Sequence, residues 1–201
     1  MRKLVSIFLL LMCTATMLHA GKPRLSYGLE WGYSGTFLKT SQHNYICSEG
    51  YRIVDNPVTW RYFSNGSVLG NVGVSLNDNI NLSVYSGLLG VYSKRWMVPV
   101  ELRARWCPSG LYSDGLIVHA GAAVNFPTAS LYETGMRAIA GAGYRVAVFR
   151  SISVDLLISY NFTLDSETIM DPDTRKPVHR TMIETNTTEY QAVNISLAIN
   201  F

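Results

Sequence analysis

From Leu25 onward the chain alternates. Leu25, Tyr27, Leu29, Trp31, Tyr33, Gly35 and Phe37 take the odd positions, with Ser26, Gly28, Glu30, Gly32, Ser34 and Thr36 between them. A period of two predicts a strand with one greasy and one small or polar face. The pattern returns through Val72, Val74 and Leu76, and then through Ile80, Leu82 and Val84, where Tyr85 and Leu89 blur the second half. Further strands are predicted from Val98 to Trp106, from Leu116 to Val124 and from Met136 to Val148. Ile152 to Phe162 and Val193 to Phe201 complete eight. There is no amphipathic helix of useful length, no linker, and no repeat beyond the alternation itself.

The second face decides what kind of sheet this is. A soluble sandwich carries many Lys and Glu on its wet face. Here that face is rich in Gly, Ser, Asn and Ala, which suits a narrow enclosed lumen. The ionisable residues within the strands are Glu30, Glu101, Arg103, Arg105, His119, Arg137, Arg145 and Asp155, and all fall on this face. Lipid forbids charge on the outside of a membrane barrel, whereas a polar interior accepts it. A soluble lipocalin-like carrier would invert the arrangement, with its apolar face inside.

Connection lengths agree. The first, third, fifth and seventh are expected at 39–66, 92–97, 125–133 and 165–187. The second, fourth and sixth are expected at 77–79, 107–114 and 149–151. Long and short connections thus segregate to opposite rims, as in outer-membrane barrels. Trp96 and Trp106 lie on the outward face of one strand. At about 3.3 Å per residue and a tilt of about 40°, their separation along the barrel axis is roughly 25 Å, the height of an apolar band with an aromatic at each interface. The fold expected is all-β: an eight-stranded antiparallel up-and-down transmembrane β-barrel. Ser64-Asn65-Gly66-Ser67 resembles a tight hairpin turn, which would add strands around 45–54 and 58–63 and give ten. The second of those is too short to span and the first would turn Glu49 toward lipid. Eight spanning strands, with a hairpin rising from the first loop, is the preferred reading.

Composition narrows the setting. The 201 residues are 48% hydrophobic but only 15% charged, against a usual charged fraction of about 25%. Such a chain buries a core and is not disordered. Its start reads as a secretory signal peptide: Arg2 and Lys3, an apolar run from Leu4 to Met12 broken only by Ser6, and Leu18 and Ala20 before a cut ahead of Gly21. Residues 1–20 are therefore expected to leave and 21–201 to form one barrel domain. The net charge is +3 with no basic run, so nucleic acid is not an expected partner.

Several segments together resemble a known family. They are Gly28-Leu29-Glu30-Trp31-Gly32-Tyr33, Asn81-Leu82-Ser83-Val84-Tyr85-Ser86-Gly87 with Gly90-Val91-Tyr92, Val98-Pro99-Val100 with Arg103, and Gly141-Ala142-Gly143-Tyr144-Arg145-Val146. With these, the chain resembles the small outer-membrane β-barrel proteins of Bacteroides-type bacteria. The terminal Asn194-Ile195-Ser196-Leu197-Ala198-Ile199-Asn200-Phe201 is similar to the signal read by the barrel-assembly machinery, with Ile199 and Phe201 as its apolar positions. The resemblance implies the fold, a Gram-negative outer-membrane location, and outer-membrane lipid and the assembly machinery as partners. It supplies no catalytic residue.

Chemistry is sparse. Cys13 would leave with the leader, and Cys47 and Cys107 are expected at opposite rims, too far apart for a disulfide. His43, His119 and His179 have no metal-ligand spacing. No nucleophile elbow, phosphate-binding loop or paired-carboxylate motif occurs. His119 with Ser153 and Asp155 are the lumen's candidates for catalysis, since some small outer-membrane barrels act on lipid or peptide. The expected function is a non-enzymatic scaffold or envelope-stability protein with a closed lumen and two long external loops, without cofactor or metal. A narrow channel, a small lipid-acting enzyme and a soluble carrier are the alternatives. An unpaired charge in a narrow barrel is costly, so the lumen groups are expected to pair. Glu30 faces an uncharged neighbour strand and must reach across the interior for its cation.

Overall fold

The structure, a computed structural model, describes residues 24–92, 95–129, 133–149 and 152–201. The predicted signal peptide lies outside the described residues. The strands are β1 (Arg24–Ile46), β2 (Arg52–Asp55), β3 (Val58–Ser75), β4 (Ile80–Tyr92), β5 (Arg95–Trp106), β6 (Gly115–Pro127), β7 (Gly135–Phe149), β8 (Ile152–Asp165) and β9 (Ile183–Asn200). A single 3₁₀ turn, Arg180–Met182, precedes β9. From β3 to β9 each strand pairs antiparallel with the next, β1 pairs with β3, and β9 returns to β1. The return ladder runs from Gly28↔Asn200 to Tyr45↔Ile183. Eight strands therefore form a closed ring, the arrangement that leaves no sheet edge. At one end, the turn end, lie the connections after β3, β5 and β7. At the other, the loop end, lie those after β1, β4, β6 and β8.

The first hairpin departs from the sequence expectation. His43↔Asp55 and Thr40↔Val58 share one register, so β2 lies end to end with β3 along the same flank of β1. The pair is in effect one strand broken at Asn56-Pro57, where proline has no N–H to donate. The turn sits at 47–51, where the Cys47 and Gly50 amides close on the Tyr51 and Cys47 carbonyls. Gly50 supplies φ +87° there, a conformation that favours glycine. Asn65-Gly66 is not a turn: both residues lie within β3, opposite Ser34 and Tyr33. A local turn preference yields here to a ladder that β1 continues on both sides. The 39–66 and 165–187 connections are correspondingly shorter than expected, because β1, β3 and β9 run on well past the wall of the barrel. A bulge between Thr36 and Leu38 shifts the register of β1. Phe37, expected to face outward, sits at this bulge half-buried, and inward and outward positions exchange beyond it.

Apart from further register shifts at Asn44/Tyr45, Gly90/Tyr92 and Ala147/Phe149, near strand ends, parity holds. Leu25, Leu29, Val72, Val84, Leu102, Val146 and Ile158 are exposed, whereas Ser83, Asn125, Ser159, Thr163 and Ser196 are buried. The apolar faces are outside, so the inverted arrangement of a soluble carrier is not adopted. Inside, two apolar clusters bracket the polar lumen. Leu89, Val91, Met97 and Tyr190 pack towards the loop end, joined by Tyr92. Cys107, Leu111, Ile117 and Leu157 pack towards the turn end.

Candidate functional site

Between the two clusters lies a charged layer. Glu101, Arg103 and Arg105 sit at two-residue steps on β5, which puts all three on its inward face. Their register partners on β6 are Ala123, Gly121 and His119, and the two small residues leave room for the arginine side chains. Arg103 gives Nε to Glu101 Oε1 at 2.5 Å and Nη1 to Glu30 Oε2 at 2.7 Å. Glu30 stands on β1, so this second bond crosses the interior. The other Glu101 oxygen accepts from Arg137 Nη2 on β7. The Arg103 guanidinium lies 4.0 Å from the centroid of the buried Tyr85 ring, a cation–π contact that counts for more away from water. Nearer the turn end, Arg145 and Asp155 are direct cross-strand partners joined through two bonds, Nε–Oδ1 at 2.7 Å and Nη2–Oδ2 at 2.6 Å. Arg105 reaches Asp155 Oδ2 at 3.3 Å and Asn200 Oδ1 at 2.7 Å.

His119 places Nε2 3.0 Å from Ser159 Oγ. The sequence candidates for catalysis are not assembled: His119 meets Ser159 rather than Ser153, and Asp155 is held by Arg145. Nδ1 of His119 has no partner, so no carboxylate orients the ring. Gly141 makes the space for it, because a Cβ there would lie 2.8 Å from His119 Cε1 and 2.3 Å from the Ile158 carbonyl oxygen.

A second polar cluster, most of whose residues the sequence reading assigned to loops, lies at the loop end. Buried Arg95 pairs with Asp165 and gives Nη1 to the Tyr190 hydroxyl at 2.9 Å. Lys39 Nζ lies 2.8 Å from Glu167 Oε2, and the Tyr190 hydroxyl also donates to Glu167. Burial works against the Glu167 charge, but the Lys39 and Tyr190 hydrogen bonds outweigh it and hold the carboxyl below its usual range. Arg95 continues the inward parity of Met97, Pro99 and Glu101, and extending that parity two residues would have found it.

Above this cluster the 166–182 segment grips the 47–51 turn. Asp171 Oδ1 accepts from the Thr174 and Asp173 amides at 3.0 Å, and Oδ2 accepts from the Ser48 amide at 2.7 Å. The Thr174 and Ser48 amides, with Asp173, hold the Asp171 carboxyl down to about 2. Tyr51 adds a hydrogen bond to Asp173 at 3.2 Å, and Arg52 pairs with Glu184 at 2.6 Å.

The remaining candidates lie outside these clusters. Trp96 and Trp106 are 43% and 51% exposed near opposite ends of β5. Phe201 stacks on Tyr27 with ring centroids 5.4 Å apart and exchanges two backbone hydrogen bonds with it, at 2.8 and 3.2 Å. Ile199 pairs with Leu29 on the same seam. Cys47 and Cys107 are both free and buried, one beyond the loop end of β1 and one at the turn end of β5. Among the described residues no group of three His, Cys, Asp or Glu could hold a metal ion.

No protein-family model matches the chain, and no curated protein matches it in sequence. Solved structures do. Neisserial surface protein A (NspA) is similar with a TM-score of 0.54 and 10% identity, over 90% of this chain and 98% of that one. The outer membrane protein AlkL, determined by solid-state NMR in DMPC lipid bilayers, is similar with a TM-score of 0.51 and 12% identity, over 90% and 92%. At such identities the likeness is one of fold, an all-β antiparallel barrel closed on itself.

Proposed function

We propose that this chain is an integral outer-membrane β-barrel that serves as a non-enzymatic scaffold or envelope-stability protein, with a sealed lumen. The observation that carries this reading is the Glu30–Arg103 bridge across the interior, locked to Glu101 and Arg137, with an apolar cluster towards each end. Eight strands leave room in a barrel for side chains rather than a pore. The outward apolar face, with Trp96 and Trp106 at its two ends, supports residence in a bilayer. Short turns then face the periplasm, and the joined loops face outward. Gram-negative export rests on the predicted leader, and kinship with Bacteroides-type barrels on the sequence segments that resemble them. Ile199 and Phe201 are offered as the apolar positions read by the assembly machinery, and outer-membrane lipid as the standing partner. The His119–Ser159 pair, which has no acid behind it, supports a structural role for both residues. Purified protein in planar bilayers is expected to show no steady conductance, with a small leak on Glu30→Ala. A large open conductance from the unmodified protein would overturn the scaffold and favour a channel.

A further inference from the structure

The lumen's charges fall into two groups that are not equally balanced. Glu30 and Glu101 face Arg103 and Arg137, two against two. Nearer the turn end, Asp155 alone faces both Arg145 and Arg105. Arg145 takes both oxygens of that carboxylate at 2.6–2.7 Å. Arg105 reaches it only at 3.3 Å, and its other acceptors are neutral amides, Asn200 Oδ1 at 2.7 Å and Asn71 Oδ1 at 3.5 Å. Arg105 Nε has no hydrogen-bond partner although the residue is only 2% exposed. A guanidinium in such a place, which shares its one carboxylate with a second arginine, favours a further anion.

The space for one is present. Arg105 and Arg145 line a small open cavity at the turn end, with a volume of about 40 Å³. Ser26, Ser75, Asn81 and Ser153 also line it, and no lining side chain is a carboxylate. The backbone of Phe201 at its edge is engaged by Tyr27. Guanidinium forks match tetrahedral oxyanions, and hydroxyl and amide groups complete the set of donors such an ion needs. We infer that this cavity binds a phosphate group, with Arg105 as its counter-charge. A free phosphate ion and the phosphate of a lipid headgroup present the same chemistry to this site.

Arginine side-chain NMR on ¹⁵N-labelled protein in maltoside micelles, which carry no phosphate, tests this. Inorganic phosphate, added at constant ionic strength against chloride, is expected to move the Arg105 Nε–H resonance in a saturable way. Arg105→Gln should weaken the same titration, read on Arg145 Nε, by roughly tenfold or more, the scale of a lost charged hydrogen bond. Arg105→Lys keeps the charge and should retain binding within a few-fold, which separates loss of the site from loss of the fold. In phosphatidylglycerol nanodiscs without added phosphate, a resonance already at its shifted position would assign the site to headgroups, and one that moves only with added phosphate would assign it to the free ion. No saturable shift, an equal shift with chloride, or an unchanged titration in Arg105→Gln would overturn the proposal.

Discussion

Glu101 holds two arginines at once, one on each carboxylate oxygen, and its worth follows from what its loss would strand. Glu101→Gln leaves Arg103 and Arg137 with Glu30 as the remaining carboxylate of their group. Removing one member of a buried ion pair costs about 3–5 kcal/mol. The exposed Arg52–Glu184 pair has comparable geometry, 2.6 Å, but water screens it, and such pairs are worth at most about 1 kcal/mol. Urea unfolding of protein refolded into lipid vesicles should therefore show a large loss of stability for Glu101→Gln and almost none for Glu184→Gln. Equal losses would mean that the lumen is wet enough to screen its charges. Which residues face the lumen was legible from parity alone. Which carboxylate meets which arginine was not, because partners across a barrel depend on the stagger of the strands, and alternation carries no information about stagger.

At the level of the strand, Leu102 lies on the outward face of β5 between Trp96 and Trp106 and is 52% exposed. Leu102→Arg is expected to cost about 2–4 kcal/mol if this is the middle of the apolar band. Arginine at the exposed Thr174 should be tolerated, and folding yield into vesicles measures both. The strands inside the band were readable because an apolar exterior and a polar lumen put opposite chemistry on successive residues. That contrast ends where the strands leave the band. Lys39, Thr40, Gln42 and Asn44 on β1 are all polar or charged whichever way they face, so the sequence shows no alternation although the hydrogen-bonded ladder continues. The same loss hid Arg95, Asp165 and Tyr190. The bulge at Phe37 had no signal either, since an apolar residue fits the outward parity it interrupts. Tyr85 blurred its strand for another reason. It is a large ring on the small-residue face, and it is there because an arginine lies against it.

Across the whole molecule, Asp171 joins two connections that are far apart in the chain, and that junction is sensitive to acid. Its carboxyl sits near 2, below the ordinary 3.8. The sign follows from linkage: a depressed carboxylate stabilises the closed state fully above its ordinary value and loses that contribution as pH falls towards 2. Pepsin cleavage within 166–182 is expected to rise between about pH 4 and pH 2 as this carboxylate takes up its proton. Asp171→Asn should be cleaved readily across that whole range; cleavage of the wild type that does not change with pH would count against the junction. The ring has a different consequence, in time rather than in space. With β2 and β3 taken as one broken strand, every pairing but one joins strands that follow each other in the chain, and each can form as a local hairpin. The seam of β1 with β9 joins the first strand to the last, so it bears nearly the full entropy of closing the chain into a loop. Until β9 arrives, β1 is an open edge able to pair with any other extended chain it meets. The interval before closure is thus when aggregation threatens this fold most.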